Sequence, residues 1–110
     1  MTTMNTTSSV CVYRRNGRNP WGKIQRSSKI AKGIRYISTA GHGGYALSRE
    51  RWEAMPEHFK NCSFTKDQFF EHDISWCAVV LTWPSYFGET LRQEARLTYD
   101  RWYAPKMAVA

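Results

Sequence analysis

Residues 33–48 of the 110-residue chain read GIRYISTAGHGGYALS, and this stretch decides the fold. Residues 34–39 are mostly β-branched or aromatic, and Ile34, Tyr36 and Ser38 alternate with Arg35, Ile37 and Thr39, which is typical of a strand with one partly buried face. Gly41, Gly43 and Gly44 then surround His42. Because glycine tolerates positive φ and close backbone approach, we predict a sharp turn that fixes the imidazole, followed by a brief strand over residues 45–47.

On the N-terminal side, residues 23–30 alternate basic side chains with isoleucines and predict a strand that joins the strand at 34–38 near Lys32 and Gly33. Residues 10–13 are a candidate short strand. Residues 14–22 have the composition of a loop, which Trp21 anchors to the body of the protein. Residues 1–9 are rich in Thr, Ser and Asn, so we expect a disordered leader followed by one domain over residues 10–110.

On the C-terminal side, Ser48 is a candidate N-cap of a short helix, which Pro56 ends or continues as a second turn. The apolar stretch FFEHDISWCAVVLTWP (69–84) favours a helix over residues 73–82 with Asp73 as its cap, although residues 79–82 also suit a strand. Residues 89–103 show helical periodicity.

These elements predict an α+β fold in which a small antiparallel sheet from the first half packs against two or three helices from the second half. The large apolar side chains at the periodic positions form the predicted core, which consists of Ile34, Ile37, Leu47, Trp52, Phe59, Trp76, Val79, Leu81, Leu91 and Trp102.

Charge is distributed unevenly along the chain. Residues 1–49 contain nine Lys or Arg and no Asp or Glu, whereas residues 50–110 contain seven basic and nine acidic residues. A one-sided basic field attracts nucleic acid, acidic protein surfaces or anionic lipid. The alternative is that these charges only form a solvated face.

Composition also restricts the class of protein. The three cysteines form no C-x-x-C pair, which favours a reducing compartment. The sequence has no apolar run long enough for a membrane span and no signal-peptide pattern, so we expect a cytoplasmic protein without membrane contact.

His42 is the first candidate for chemistry, together with Glu71 and Asp73. A carboxylate within hydrogen-bond reach fixes the tautomer of a histidine and raises its basicity, as in many general bases. The signature patterns of serine hydrolases, zinc proteases and phosphate-binding loops are absent from the sequence, so no reaction is named. The alternative is that His42 only stabilises a turn and Asp73 only caps a helix.

A metal site is the second candidate considered. Zinc needs three or four ligands, usually in pairs with short spacing. Of the available residues only His58 and Cys62 have such a spacing. We therefore expect surface histidines and buried cysteines, with no metal and no cofactor.

A basic surface with interleaved aromatic residues is the third candidate. Aromatic rings stack on unpaired bases and cations neutralise phosphates, but none of the common RNA-binding or helix-turn-helix signatures is present. The alternative is that the aromatic residues belong to the core. The candidate binding residues are Arg14, Arg15, Arg18, Trp21, Lys23, Arg26, Lys29, Lys32 and Arg35.

The order of segments resembles an uncharacterised domain family found in small tailed-phage proteins and in larger proteins of conjugative plasmids. The resemblance covers residues 20–103. His72 stands where the family pattern has an acidic residue, which argues against a carboxylate-bound metal. The matching positions are Thr39, His42, Gly43, Gly44, Leu47 and Ser48, followed by Glu71, Asp73 and Trp76.

The resemblance implies a mobile-element context and no particular reaction. We therefore expect a small phage accessory protein in the host cytoplasm that binds a host protein complex or other macromolecule. Its expected effect is to inhibit host defence, such as CRISPR or restriction, or to modulate a host enzyme. The alternatives are a nucleic-acid-binding protein that uses the same basic surface, and a small-ligand or hydrolytic site built on His42.

Overall fold

The computed structural model describes residues 20–64 and 67–103. Four antiparallel strands form one sheet in the sequential order β1 (Arg26–Ala31), β2 (Ile34–Ser38), β3 (Gly43–Leu47) and β4 (Phe69–Glu71). In the described part of the chain, the helices are α1 (Arg49–Ala54), α2 (Glu57–Lys60), α3 (Trp76–Thr82) and α4 (Glu89–Trp102), and residues Pro84–Tyr86 form a 3-10 turn. The predicted α+β fold, with its antiparallel sheet in the first half, is confirmed. The predicted leader (1–9) and the short strand at 10–13 lie outside the described residues.

Two turns set the register of the first three strands. The β1–β2 turn passes through Gly33, whose φ of +82° favours glycine. In the β2–β3 loop, the backbone N–H of Thr39 donates to the carbonyl oxygen of His42 at 2.8 Å. The turn around His42 uses no positive φ, which among the described glycines occurs only at Gly22 and Gly33.

The two faces of the sheet are both covered, because successive side chains of a strand point to opposite faces. On the helix face, Ile34, Leu47 and Phe70 pack with α3 residues in the main core. On the other face, three buried residues form a second small cluster beneath Trp21 and Ile24. The members of that cluster are Ile37, Ala46 and Phe69.

Strand β4 was not predicted, and it changes how α3 begins. The chain runs through β4 as far as Glu71 and then through turns, so α3 starts at Trp76 rather than at the predicted residue 73. Asp73 therefore does not cap α3, whose N-cap position is Ser75. The hydroxyl of Ser75 donates to the carbonyl oxygen of Glu71 at 3.0 Å, which ties the turn to β4.

The cap of α1 agrees with its prediction, since the backbone N–H of Arg51 donates to Oγ of Ser48 at 3.2 Å. Of the predicted core, Ile34, Ile37, Leu47 and Val79 are fully buried. Trp102 is 49% exposed and does not belong to the core. The remaining predicted residues pack, partly buried, around the main cluster: Trp52, Phe59, Trp76, Leu81 and Leu91.

Within residues 20–64 and 67–103, no helix combines the length and the apolar character needed to cross a membrane.

Candidate functional site

The sheet brings His42 next to Glu71. Strand β4 pairs with β3 so that Glu71 lies opposite Gly44, and the backbone N–H of His72 donates to the carbonyl oxygen of Gly43 at 2.8 Å. His42 immediately precedes β3, so its ring lies beside the end of β4. Its Nδ1 is 3.7 Å from Oε2 of Glu71, which is ion-pair range for a protonated imidazole but too long for a hydrogen bond.

The environment of Glu71 favours its neutral form. Its side chain is 19% exposed, and the loss of hydration raises the pKa of the carboxyl group. The negative charge of Asp73 and a hydrogen bond with it raise this pKa further, while His42 and His72 lower it. The predicted set of His42, Glu71 and Asp73 therefore forms one electrostatically coupled group, with the imidazole facing solvent.

The hydroxyl groups around His42 already have backbone partners. Oγ1 of Thr39 donates to the carbonyl oxygen of His42 at 3.1 Å and accepts from the backbone N–H of His42 at 3.2 Å. The Ser75 hydroxyl donates to the backbone of β4. The arrangement can orient an imidazole and move a proton, but neither of these hydroxyls is poised as a nucleophile.

The predicted basic surface corresponds to the β1–β2 hairpin and the residues before it. We call residues 23–35 the basic hairpin. Four of its cations are exposed, whereas Arg35 is half-buried and donates from Nε to Oγ of Ser27 at 2.9 Å. Arg14, Arg15 and Arg18 lie outside the described residues. The exposed cations of the basic hairpin are Lys23, Arg26, Lys29 and Lys32.

One protein family, described as a domain of unknown function (DUF7007), matches residues 14–109. The chain belongs to this family. Neither a curated protein nor a solved structure matches it.

In this DUF7007 domain, an arginine that the sequence analysis did not single out holds the tip of the basic hairpin. The guanidinium of Arg51 lies 5.1 Å from the ring centres of both Trp83 and Tyr86, within cation–π range of each ring. Its Nε donates to the carbonyl oxygen of Lys32 at 2.9 Å, and its Nη2 donates to the Tyr86 hydroxyl at 3.1 Å. Since Arg51 and Tyr86 are 35 residues apart, no local pattern signals this contact.

Gly44 and Trp21 also shape the DUF7007 site. A Cβ at Gly44 would overlap the carbonyl oxygen of Phe70, and it would lie 2.7 Å from the Trp21 ring and 2.9 Å from Cα of Glu71. Trp21, predicted as a binding residue, is half-buried and packs edge-to-face on Phe69 with ring centres 5.8 Å apart. Gly44 therefore permits the close approach that places Glu71 beside His42.

Among the described residues of the DUF7007 domain, no three His, Cys, Asp or Glu side chains converge as metal ligands would. The side chains of Cys62 and Cys77 are buried in the interior. Burial raises the pKa of Cys77 to about 12, because the thiolate would lose its hydration there. Cys77 is therefore an unreactive thiol at neutral pH.

Proposed function

We propose that this protein is a small phage accessory protein that binds an acidic host macromolecule through its basic hairpin. Binding would inhibit a host defence system, such as CRISPR or restriction, or modulate a host enzyme in the host cytoplasm. Support for the phage setting comes from the resemblance of residues 39–48 and 71–76 to domains of tailed-phage and conjugative-plasmid proteins.

The observation that carries this proposal is the exposure of the cations of the basic hairpin. The basic hairpin holds five cations and no Asp or Glu, and four of the five are exposed on or beside an outer strand of the described sheet. All nine acidic residues follow residue 49 in the sequence. A surface of one sign steers an oppositely charged partner and fixes its orientation, and its effect weakens with salt.

The test compares two variants that lose the same amount of charge at different places. Arg26→Glu/Lys29→Glu reverses two cations of the basic hairpin, whereas Arg96→Glu/Arg101→Glu reverses two exposed cations of α4, which packs on α3. Wild type and both variants are immobilised, and host lysate is passed over each with and without nuclease. The captured partner is then purified and its affinity for each form is measured.

We expect a host protein to be retained after nuclease treatment, with an affinity at least about tenfold weaker for the hairpin variant and little changed for the α4 variant. Equal affinities for the two variants would contradict the proposal. If nucleic acid alone is retained, and its binding falls steeply with salt, the protein is instead a nucleic-acid-binding protein.

The 3.7 Å approach of His42 to Glu71 favours a second candidate function, a small-ligand or hydrolytic site. In this candidate, His42 acts as general base and Glu71 pairs with the imidazolium that forms. Purified protein is screened with generic ester and phosphoester substrates, alongside His42→Ala and Glu71→Gln. A hydrolysis that disappears in a folded His42→Ala variant supports this function, whereas inactive wild-type protein contradicts it.

A further inference from the structure

We propose that β1 is a docking edge for an extended acidic peptide segment, which pairs with it as an additional strand. This inference rests on the proposed function and specifies the chemistry of the partner. It requires three properties of β1: backbone groups that point away from the sheet, exposed side chains, and a charge that selects the incoming strand.

The pairing pattern shows which backbone groups of β1 point outward. Thr39 bonds across to His42, and hydrogen-bonded positions recur every two residues in an antiparallel ladder. Residues 35 and 37 of β2 therefore bond to β3, while residues 36 and 38 bond to their β1 partners Ser28 and Arg26. It follows that the backbone N–H and C=O groups of Ser27 and Lys29 point away from the sheet.

The accessible part of this edge is short and bounded by irregularities. The four residues from Arg26 to Lys29 are exposed, and β1 is an outer strand among the described residues. At the N-terminal end, the N–H of Gln25 donates to the carbonyl oxygen of Ser38, although the residue opposite Ser38 is Arg26. At the C-terminal end, the register shifts between Lys29 and Ala31. The edge available to a partner therefore runs from Arg26 to Lys29. The backbone groups that a partner can bond there belong to Ser27 and Lys29.

Charge selects an acidic strand over a second copy of this chain. A second copy would bring its own Arg26 and Lys29 to this edge, and cations on an outer strand oppose pairing with another strand of the same sign. On an incoming acidic strand, the carboxylates of one face would lie near Arg26. The carboxylates of the other face would lie near Lys29 and its cross-strand neighbour Arg35.

The test uses the full-length protein and a capped eight-residue peptide of alternating glutamate and threonine. Its Kd is measured by calorimetry and compared with that of the same peptide N-methylated at every residue, which keeps the charge but removes the donors. Ser27→Pro removes the outward donor of β1, and edge strands tolerate proline at such a position. Ser27→Ala is the matched control, since it also loses the Arg35 contact but keeps the backbone N–H.

We expect N-methylation and Ser27→Pro each to weaken peptide binding by about tenfold or more, and Ser27→Ala to bind nearly as the wild type does. Thermal unfolding verifies that both variants are folded, and the methylated peptide tests the proposal without any change to the protein. Equal binding of the methylated and unmethylated peptides would overturn the proposal.

The same variants separate this inference from the proposed function. If Ser27→Pro binds the captured host macromolecule as the wild type does, while Arg26→Glu/Lys29→Glu does not, strand pairing is wrong and the charge-driven proposal stands. Loss in Ser27→Pro but not in Ser27→Ala supports strand pairing. Binding of a single-stranded oligonucleotide but not of the acidic peptide overturns the peptide proposal.

Discussion

The two outer strands of the described sheet differ in almost every physical respect. β1 has six residues, of which the first four are exposed, and it carries Arg26 and Lys29. β4 has three residues; Phe69 and Phe70 are buried on opposite faces, and the chain continues through a turn into α3. One edge is therefore built into the core while the other faces solvent.

Under the proposed function, this difference places the stabilising contacts and the binding surface at opposite edges of one sheet. Apolar burial provides most of the free energy of folding, so the β4 side stabilises the protein. The side chains from Arg26 to Lys29 bury little, so we expect their substitution to have little effect on folding and, under the proposed function, a large effect on the binding of a charged partner. Cations on an outer strand also oppose uncontrolled pairing with other strands.

Gly44→Val is the strongest way to break the β4 edge. The new Cβ would collide with the carbonyl oxygen of Phe70 and with Cα of Glu71, so β3 and β4 cannot stay paired at their present spacing. We expect a loss of at least about 3 kcal/mol in the free energy of unfolding, or failure to fold, by urea denaturation. Gly41→Ala is the control, because its Cβ meets nothing within 4 Å. Similar losses in both variants would contradict this interpretation.

Phe70→Ala measures the contribution of β4 against that of β1. The Phe70 side chain is fully buried and contacts the Trp52 ring, so its removal should lower the free energy of unfolding by about 3–5 kcal/mol. Lys29→Ala, on exposed β1, should change it by less than about 0.5 kcal/mol. Urea denaturation of both variants gives the two values, and comparable losses would remove the contrast between the edges.

Ser48→Ala tests how much the cap of α1, where the sheet meets this helix, contributes to stability. The substitution removes the oxygen that accepts from the N–H of Arg51, and we expect it to cost about 1 kcal/mol. Ser28→Ala on exposed β1 is the matched serine control. Differential scanning calorimetry should show a lower Tm for Ser48→Ala alone.

Glu71→Gln tests the electrostatics of the β4 edge and should give the smallest effect. Burial raises the pKa of Glu71, so the folded state holds this proton more tightly than the unfolded state does. The native protein therefore loses stability as pH rises from the ordinary carboxyl range through the raised pKa. Glutamine does not ionise, so the variant should gain stability relative to wild type between pH 4 and pH 7. A difference that stays the same across this range would refute the assignment.

Elements with a clear period were predictable from the sequence. Residues 34–38 are rich in β-branched and aromatic residues and form β2 with those bounds, and residues 89–103 follow the helical repeat of α4, which ends at Trp102. Strand β4 was not predictable in the same way. Its two phenylalanines merge with the apolar stretch that leads into α3, so neither a two-residue nor a 3.6-residue period separates them.

The residues of the site were predictable from the sequence, but the contacts that bring them together were not. His42, Glu71 and Asp73 were candidates on chemical grounds, and the structure places them in one group. The sequence did not indicate that Gly44 makes room for its neighbours. Glycine is needed there because β4 and Trp21, which are distant in sequence, pack closely against it. Contacts between distant residues leave no local pattern.

The Arg51 contact has a consequence for the energetics of binding. An untethered hairpin tip would lose backbone freedom when a partner engages it, and that entropy would be subtracted from the affinity. Here the carbonyl of Lys32 is already bound by the Arg51 guanidinium, which also contacts two aromatic rings. Because the tip is ordered during folding, its surface at Lys32 is preorganised. Less conformational entropy would then be lost when a partner binds there, and the affinity would be higher.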